Sequence, residues 1–485
     1  MSNNTASAPT LQKKSGLAGF NLKKNTMLLA LIALMIAFEI LIVAQSSASF
    51  MNHDFFAPAN ISNLIGQNSY VLILAVGMLL CILTGGNIDL SVGSGVCMIS
   101  ALAGVFIVNL KLPLAIAVPI CLLIGIGIGA LQGYFIAYAH IPAFIVTLAG
   151  MLTFRGIGNI ILDGKTISPF PANYSKIFNA FLPSTSTKIP TLTTTPKKIA
   201  SMVDSGDIST SIQHLADKNN MTVEQLSNLK VADLRPLISA YNDSIATTLL
   251  MVTLAIGAVV SILFIIMTFL SRAKKQRKGY PVGALVPQVV KTVLVVAVIM
   301  FLSYLLGNNK GFPVILITLG IVIIGYWYFT SKSVPGRYLY ALGGNAKSAK
   351  FSGINTDKMM FFAYTNMGFL VAVASLVCVA RFNSAAPSAG TSYELDAIGA
   401  CFIGGASAYG GVGTVGGTVI GAIFMGVLNN GMSILGIDAN WQKAIKGIVL
   451  LIAVLADVSS QKKGSGGGLF SKILPKKDGN KGTLS

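Results

Sequence analysis

The chain has 485 residues, 53% of them hydrophobic and only 11% charged, with a mean hydropathy of +0.73, against roughly 25% charged in a soluble domain. That balance excludes an ordinary water-soluble enzyme. The net charge of +19 sits mostly at the ends of apolar runs and in the tails, which points to cytoplasmic loops and away from a folded nucleic-acid-binding face.

At roughly 20 apolar residues per crossing, the pattern predicts an all-α polytopic transmembrane bundle of about 10–12 passes, with glycine-interrupted helices and a small outer insert. The expected divisions are a basic cytoplasmic tail over 1–25, a first membrane part over 26–163 and a polar, partly helical outer insert over 164–245. A second membrane part over 246–460 contains an inner loop at 331–358, and a disordered cytoplasmic tail follows over 461–485.

The first predicted crossing, 27–44, carries Glu39 and reads as an uncleaved first helix. Residues 45–66 are more polar and are expected outside the membrane, and the second crossing covers 70–83. It runs into LTGGNIDLSVGSG at 83–95, whose Asp89 is the only charge between Asp54 and Lys111. An acid among glycines between two apolar runs belongs in a break that packs on protein or lines a polar path, because lipid cannot satisfy such a backbone. Crossings at 92–110, 112–139 and 141–162 follow. Gly125, Gly129 and Gly133 in the fourth clear one helix face for close packing, and the fifth carries Arg155.

The insert has eight basic and seven acidic residues between Asp163 and Asp243, the near-neutral balance of a translocated segment. Within it, Thr222 and Gln225 have capping-box spacing, apolar residues recur at helical intervals from 208 to 237, and 183–196 is rich in Thr and Pro. Crossings at 246–270, 285–306 and 312–330 flank SRAKKQRKGY, whose five basic residues place that loop inside. The longer inner loop at 331–358 carries Lys332, Arg337, Lys347, Lys350 and Lys358, with a short helix expected over 345–351 and a stop at Gly353. A crossing at 359–380 ends at Arg381, and Glu394 and Asp396 follow. A second glycine-rich break joins two apolar runs within 398–426, where Gly413, Gly417 and Gly421 clear a face, and the last crossing covers 441–455. The two breaks form a weak internal repeat of the kind found in transporter halves.

GGNAKSAK lacks the register of a phosphate loop, and His53, His140 and His214 are too scattered for a metal or hydrolase cluster. The five cysteines, Cys81, Cys97, Cys121, Cys378 and Cys401, have no metal-ligand spacing and read as packing residues. Two intramembrane acids, Glu39 and Asp89, are few for an ion-coupled secondary sugar carrier, which is the alternative reading. A bundle driven by a separate protein on its inner face fits better.

Four motifs then carry a resemblance: IDLSVGS at 88–94, IPAFIVTLAGMLTFRGI at 141–157, YALGGNAKSAKFSGIN at 340–355 and ELDAIGACFIGGASAYGGVGTVGG at 394–417. Together they resemble the membrane permease subunit of bacterial monosaccharide ABC importers, nearest to its xylose permeases through FRG and SAAPSAG at 384–390. The resemblance implies a homodimer in the cytoplasmic membrane, a cytoplasmic ATPase that carries the ATP and Mg, and an extracytoplasmic sugar-binding protein. It implies no cofactor on this chain and contact with lipid but not nucleic acid; the sugar would be of xylose type, or a galactose- or glucose-type hexose. The two breaks are the expected translocation path, through Asp89, Ser91, Gly93 and Ser94 in one and Gly404, Gly405, Ser407, Gly410 and Gly411 in the other. By the same similarity Gly343, Gly344, Asn345, Lys347, Lys350 and Gly353 form the ATPase-coupling element, where bulky replacements of Gly344 or Gly353 are expected to abolish uptake. Asn87 and the insert depart from the family pattern. Glu39, Asp89, Arg155 and Arg381 are the charges available to pair within the membrane.

Overall fold

The structure is a computed structural model that describes residues 26–45, 55–183, 209–280 and 282–464, except 220, 228, 230 and 283. The expected tail over 1–25, most of the Thr/Pro-rich stretch at 183–196 and residues 465–485 of the C-terminal tail lie outside the described residues.

Five helices open the chain: α1 (Thr26–Gln45), α2 (Pro58–Leu83), α3 (Val92–Gly104, extended by a wider turn at Val105–Asn109), α4 (Leu114–Ala137) and α5 (Ala143–Leu162). The insert contributes α6 (Ala172–Asn179), β1 (Phe181–Leu182), α7 (Ser209–Lys218) and α8 (Val223–Ser227). Next come α9 (Val231–Arg277), α10 (Leu285–Gly307), β2 (Phe312–Pro313), α11 (Ile315–Lys332), α12 (Val334–Gly344) and α13 (Ala346–Phe351). The last four are α14 (Thr356–Phe382), α15 (Tyr393–Ile403), α16 (Val415–Ile434) and α17 (Ala439–Gly464). Ten of the described helices are long and apolar enough to cross a membrane.

Helices α2 and α14 form the centre, with α3, α4, α15 and α16 against them and α1, α5, α9 and α10 outside. The glycine spacing in α4 explains its seat on α14. A Cβ at Gly125 would meet Gly368 and Ala372, one at Gly129 would meet the Tyr364 carbonyl and one at Gly133 would meet Phe361. Only residues without side chains allow backbones that close, and in lipid this packing replaces hydrophobic burial as the force between helices.

Helix α15 has 11 residues, too few to span, yet its chain makes a full traverse. Tyr393 stacks on Tyr70, the Cys401 thiol reaches the Ala75 carbonyl, and the Gly411 N–H donates to the Leu83 carbonyl. The half-helix and the turn-rich segment after it thus run parallel to α2 down to its inner end. Helix α17 follows the same course, with Lys446 at Asp396 in the first turn of α15 and Asp457 at the Ala408 N–H beyond its last. Helices α15 and α17 thus run through the bundle beside the ten long helices.

Two boundaries differ from those expected. Helix α2 begins at Pro58, so the polar NISN stretch is helical; Asn60 is accommodated by exchanging amide hydrogen bonds with Asn430 on α16, at 3.0 and 2.9 Å. Helix α9 runs unbroken for 47 residues from Val231, about 70 Å at 1.5 Å per residue. The change of polarity near residue 245 marks where the helix meets lipid, not where it starts, because the only proline, Pro236, sits in its second turn. The outer end of α9 packs with α7 and α8 around Ile212, Leu215, Leu226, Leu234 and Ile238. The capping box is formed: Thr222 N–H donates to Gln225 Oε1 at 2.8 Å, and Gln225 N–H to Thr222 Oγ1 at 3.2 Å. Helix α6 is tied to the bundle separately, its buried Tyr174 hydroxyl donating to the Leu376 carbonyl at 2.8 Å.

Candidate functional site

The two glycine-rich breaks meet at the inner end of the bundle. A Cβ at Gly86 would strike the Ala408 carbonyl, and one at Gly410 would strike the backbone of Gly85, so the strands of backbone lie in direct contact. Both segments need the left-handed region, with φ of 76° at Gly86, 83° at Gly410 and 69° at Gly411, which side chains disfavour. The Gly411 N–H to Leu83 carbonyl bond, at 3.2 Å, closes the contact.

A third element caps this junction. Helix α12 starts where Ser333 Oγ accepts the Gly336 N–H at 3.0 Å, with Pro335 in its first turn. At its other end Gly343 lies so close to the Leu83 carbonyl and to Gly411 that no Cβ fits. Tyr340 adds a bond from its hydroxyl to the Gly413 carbonyl at 2.9 Å, and burial pushes its phenol pKa up. Asn345 caps the following α13 by accepting the Ser348 N–H at 3.0 Å. Lys347 and Lys350 are exposed, Ala349 is buried, and Phe351 is 91% exposed. The inner loop thus has one side seated on both breaks and one open side that combines two cations with a bare aromatic ring.

The expected path residues divide into two groups. Asp89 is 2% exposed; its carboxylate accepts from the Ser91 N–H at 2.9 Å and the Ser91 hydroxyl at 2.6 Å, while Gln132 on α4 donates to that hydroxyl at 2.8 Å. Ser91, Gly93 and Ser94 are buried with it, behind a small cavity walled by Gln132, Phe154 and Ile99. The part of the first break that carries these residues is closed within the chain, while Gly85 is exposed. In the second, Ser407 and Gly410 are buried, Gly404 and Gly411 half-buried and Gly405 exposed, flanked by exposed Tyr409 and Val412.

The candidate charges do not converge. Arg155 Nη1 donates to the carbonyls of Pro387 and Ala389, at 3.0 and 2.6 Å, holding the loop that precedes α15, and Arg381 reaches Asn63 at 3.3 Å. Glu39 is buried on α1. Among the described residues the buried ion pair is Lys446 with Asp396, at 3.0 Å and 12% and 4% exposed, with the Asn429 amide also on Asp396 at 3.2 Å. Sequence reasoning had noted Asp396 without its partner. Lys446, the deeper of two lysines that enter the last apolar crossing, was the available signal. It also missed α12, whose Ser-x-Pro start was legible, and Phe351, whose exposure depends on how α13 sits.

A profile of the branched-chain amino acid transport system permease component family matches residues 60–202 and 237–454. The gap between the two matches covers α7, α8 and the start of α9. The xylose transport system permease protein XylH of Escherichia coli K12 is 31% identical over 455 residues, 94% of this chain and 96% of the relative. The corresponding protein of Haemophilus influenzae is 32% identical over 447 residues, covering 92% and 99%. The ribose import permease protein RbsC of Haemophilus influenzae is 30% identical over 421 residues, covering 87% and 92%. No solved structure matches the chain.

Proposed function

Because this chain belongs to the branched-chain amino acid transport system permease component family, we propose that it is the membrane subunit of an ATP-driven importer that moves a monosaccharide inward. It is a multi-pass protein of the bacterial cytoplasmic membrane. The observation that carries the sugar reading is the near end-to-end match to permeases named for xylose and ribose, and a pentose is therefore preferred to a galactose- or glucose-type hexose. The family's description names amino acids, but none of those relatives does.

In this reading two copies of the chain pair, a separate cytoplasmic ATPase supplies ATP and Mg, and an extracytoplasmic binding protein delivers the sugar. The ATPase grips Phe351, Lys347 and Lys350. Its closure moves α13 and α12, and the backbone contacts at Gly343 transmit the movement to both breaks at once. The path follows the open edge of the second break, past Gly405 and Tyr409, between the two copies. Asp89, Ser91, Gly93 and Ser94 act from behind as the hydrogen-bonded support of the first break. Weak contacts to sugar suit such a path, since a released substrate must not be held.

The test is uptake into vesicles containing the chain, its ATPase and loaded binding protein, with labelled xylose, ribose and galactose in parallel. ATP-dependent uptake that survives a protonophore supports the proposal. Uptake that collapses with a protonophore while ATP is held constant would instead establish an ion-coupled carrier.

A further inference from the structure

A polar pocket opens at the outer end of the bundle, opposite the coupling loop. Ser62 and Asn63 on α2, Lys310 between α10 and β2, and Arg381 on α14 supply its polar wall, and Phe178 and Phe181 stand beside them. Its space, including the opening to solvent, is about 430 Å³.

Two cations at this place require an explanation. Lysine and arginine favour the cytoplasmic ends of membrane helices, whereas this pair lies at the opposite face. Arg381 sits in the last turn of α14, where the helix dipole favours a cation, but the dipole does not account for Lys310, which lies on a loop. The guanidinium has five donors; Nη2 uses one on Asn63 at 3.3 Å, and the buried Nε has no partner. Gly66 leaves room for it, since a Cβ there would come within 3.1 Å of Nε. Lys310 is exposed, with its Nζ 5.7 Å from the centre of the Phe181 ring. Neither cation forms an ion pair among the described residues.

We propose that the pocket formed by Arg381, Lys310, Asn63 and Ser62 binds a phosphate-bearing anion at the outer membrane boundary. Arginine's planar fork matches phosphate oxygens, the lysine contributes a point charge, and Asn63 and Ser62 can donate to further oxygens. Phenylalanine rings along the same wall suit a phosphate carried on an acyl glycerol, which places an apolar stem beside a charged head. The shared chemistry is the phosphate; its source is either an anionic phospholipid headgroup or free phosphate.

The full-length protein, purified and delipidated, is titrated by native mass spectrometry with phosphatidylglycerol and with an uncharged glycolipid of the same chain length. It is titrated separately with inorganic phosphate against chloride at matched ionic strength. At about a factor of five per interfacial cation, phosphatidylglycerol should be preferred by roughly thirtyfold. K310Q, in an exposed loop, should lower that preference roughly fivefold with unchanged melting, and K310Q/R381Q should abolish it. Dependence of phosphatidylglycerol binding on these residues assigns the site to lipid. The same dependence for inorganic phosphate alone assigns it to the free ion and leaves the site standing. Equal binding of charged and uncharged lipid together with no phosphate effect, or affinities that K310Q leaves unchanged, would overturn the proposal. Loss of binding-protein capture by K310Q, with no phosphate or lipid effect, would reassign the pocket to a partner's carboxylate.

Discussion

Replacing Gly343 by alanine should uncouple the inner loop from both breaks. The added methyl has nowhere to go, since it would overlap the Leu83 carbonyl and the backbone of Gly411, and backbone cannot rotate aside as a side chain can. Ordinary contact requires about 3.4 Å, so α12 must lift away. Overpacking of this kind costs about 1–3 kcal/mol. The displacement also endangers the Gly411 to Leu83 bond and the Tyr340 to Gly413 bond, each contributing about 1 kcal/mol. A total of roughly 3–5 kcal/mol is a large share of an ordinary folding free energy. Gly344 is the matched control: it has open space around it and a backbone that any residue adopts, so G344A should behave as wild type. The bulky replacements of Gly344 or Gly353 expected to abolish uptake are a separate perturbation, since a larger side chain there would meet the ATPase and not the breaks. Uptake in vesicles and melting in detergent are measured for both variants. G343A with wild-type uptake and melting would refute the idea that α12 is wedged against the breaks.

Phe351→Ala should leave melting unchanged, because the ring is 91% exposed, and should weaken capture of the ATPase by roughly thirtyfold, corresponding to about 2 kcal/mol for burying the ring. Capture within twofold of wild type would remove Phe351 from the interface. Asp396→Asn strands the buried Lys446 charge and should cost about 3–5 kcal/mol; pairing it with Lys446→Met should recover most of the loss, read as melting temperature. Gly129→Val pushes α4 away from Gly368 and the Tyr364 carbonyl, for about 1–3 kcal/mol, whereas Gly127→Val, on the open face of the same helix, should be silent in the same assay.

The fold class was legible because lipid enforces it: apolar runs of sufficient length become helices, and basic loops stay inside. The glycine periods in α4 and α16 were legible for a related reason, since a row of residues without side chains has one use in a membrane helix. Gly417 and Gly421 do lie against Gly404 and Ala400. Helix ends were less readable. The start of α2 and the unbroken course of α9 depend on partners far along the chain: Asn430 satisfies Asn60, and the cluster of α7 and α8 supports the outer end of α9.

That the chain crosses lipid many times, and where backbone breaks interrupt its helices, was already written in the residues, because hydropathy and glycine spacing act locally. Packing set the rest: both breaks meet under Gly343, Gln132 closes over the Asp89–Ser91 pair, and Lys446 neutralises Asp396. Apart from the local Asp89–Ser91 bonds, these contacts join residues tens to hundreds of positions apart, brought together by packing, and no local pattern encodes which distant backbone or charge will be the neighbour.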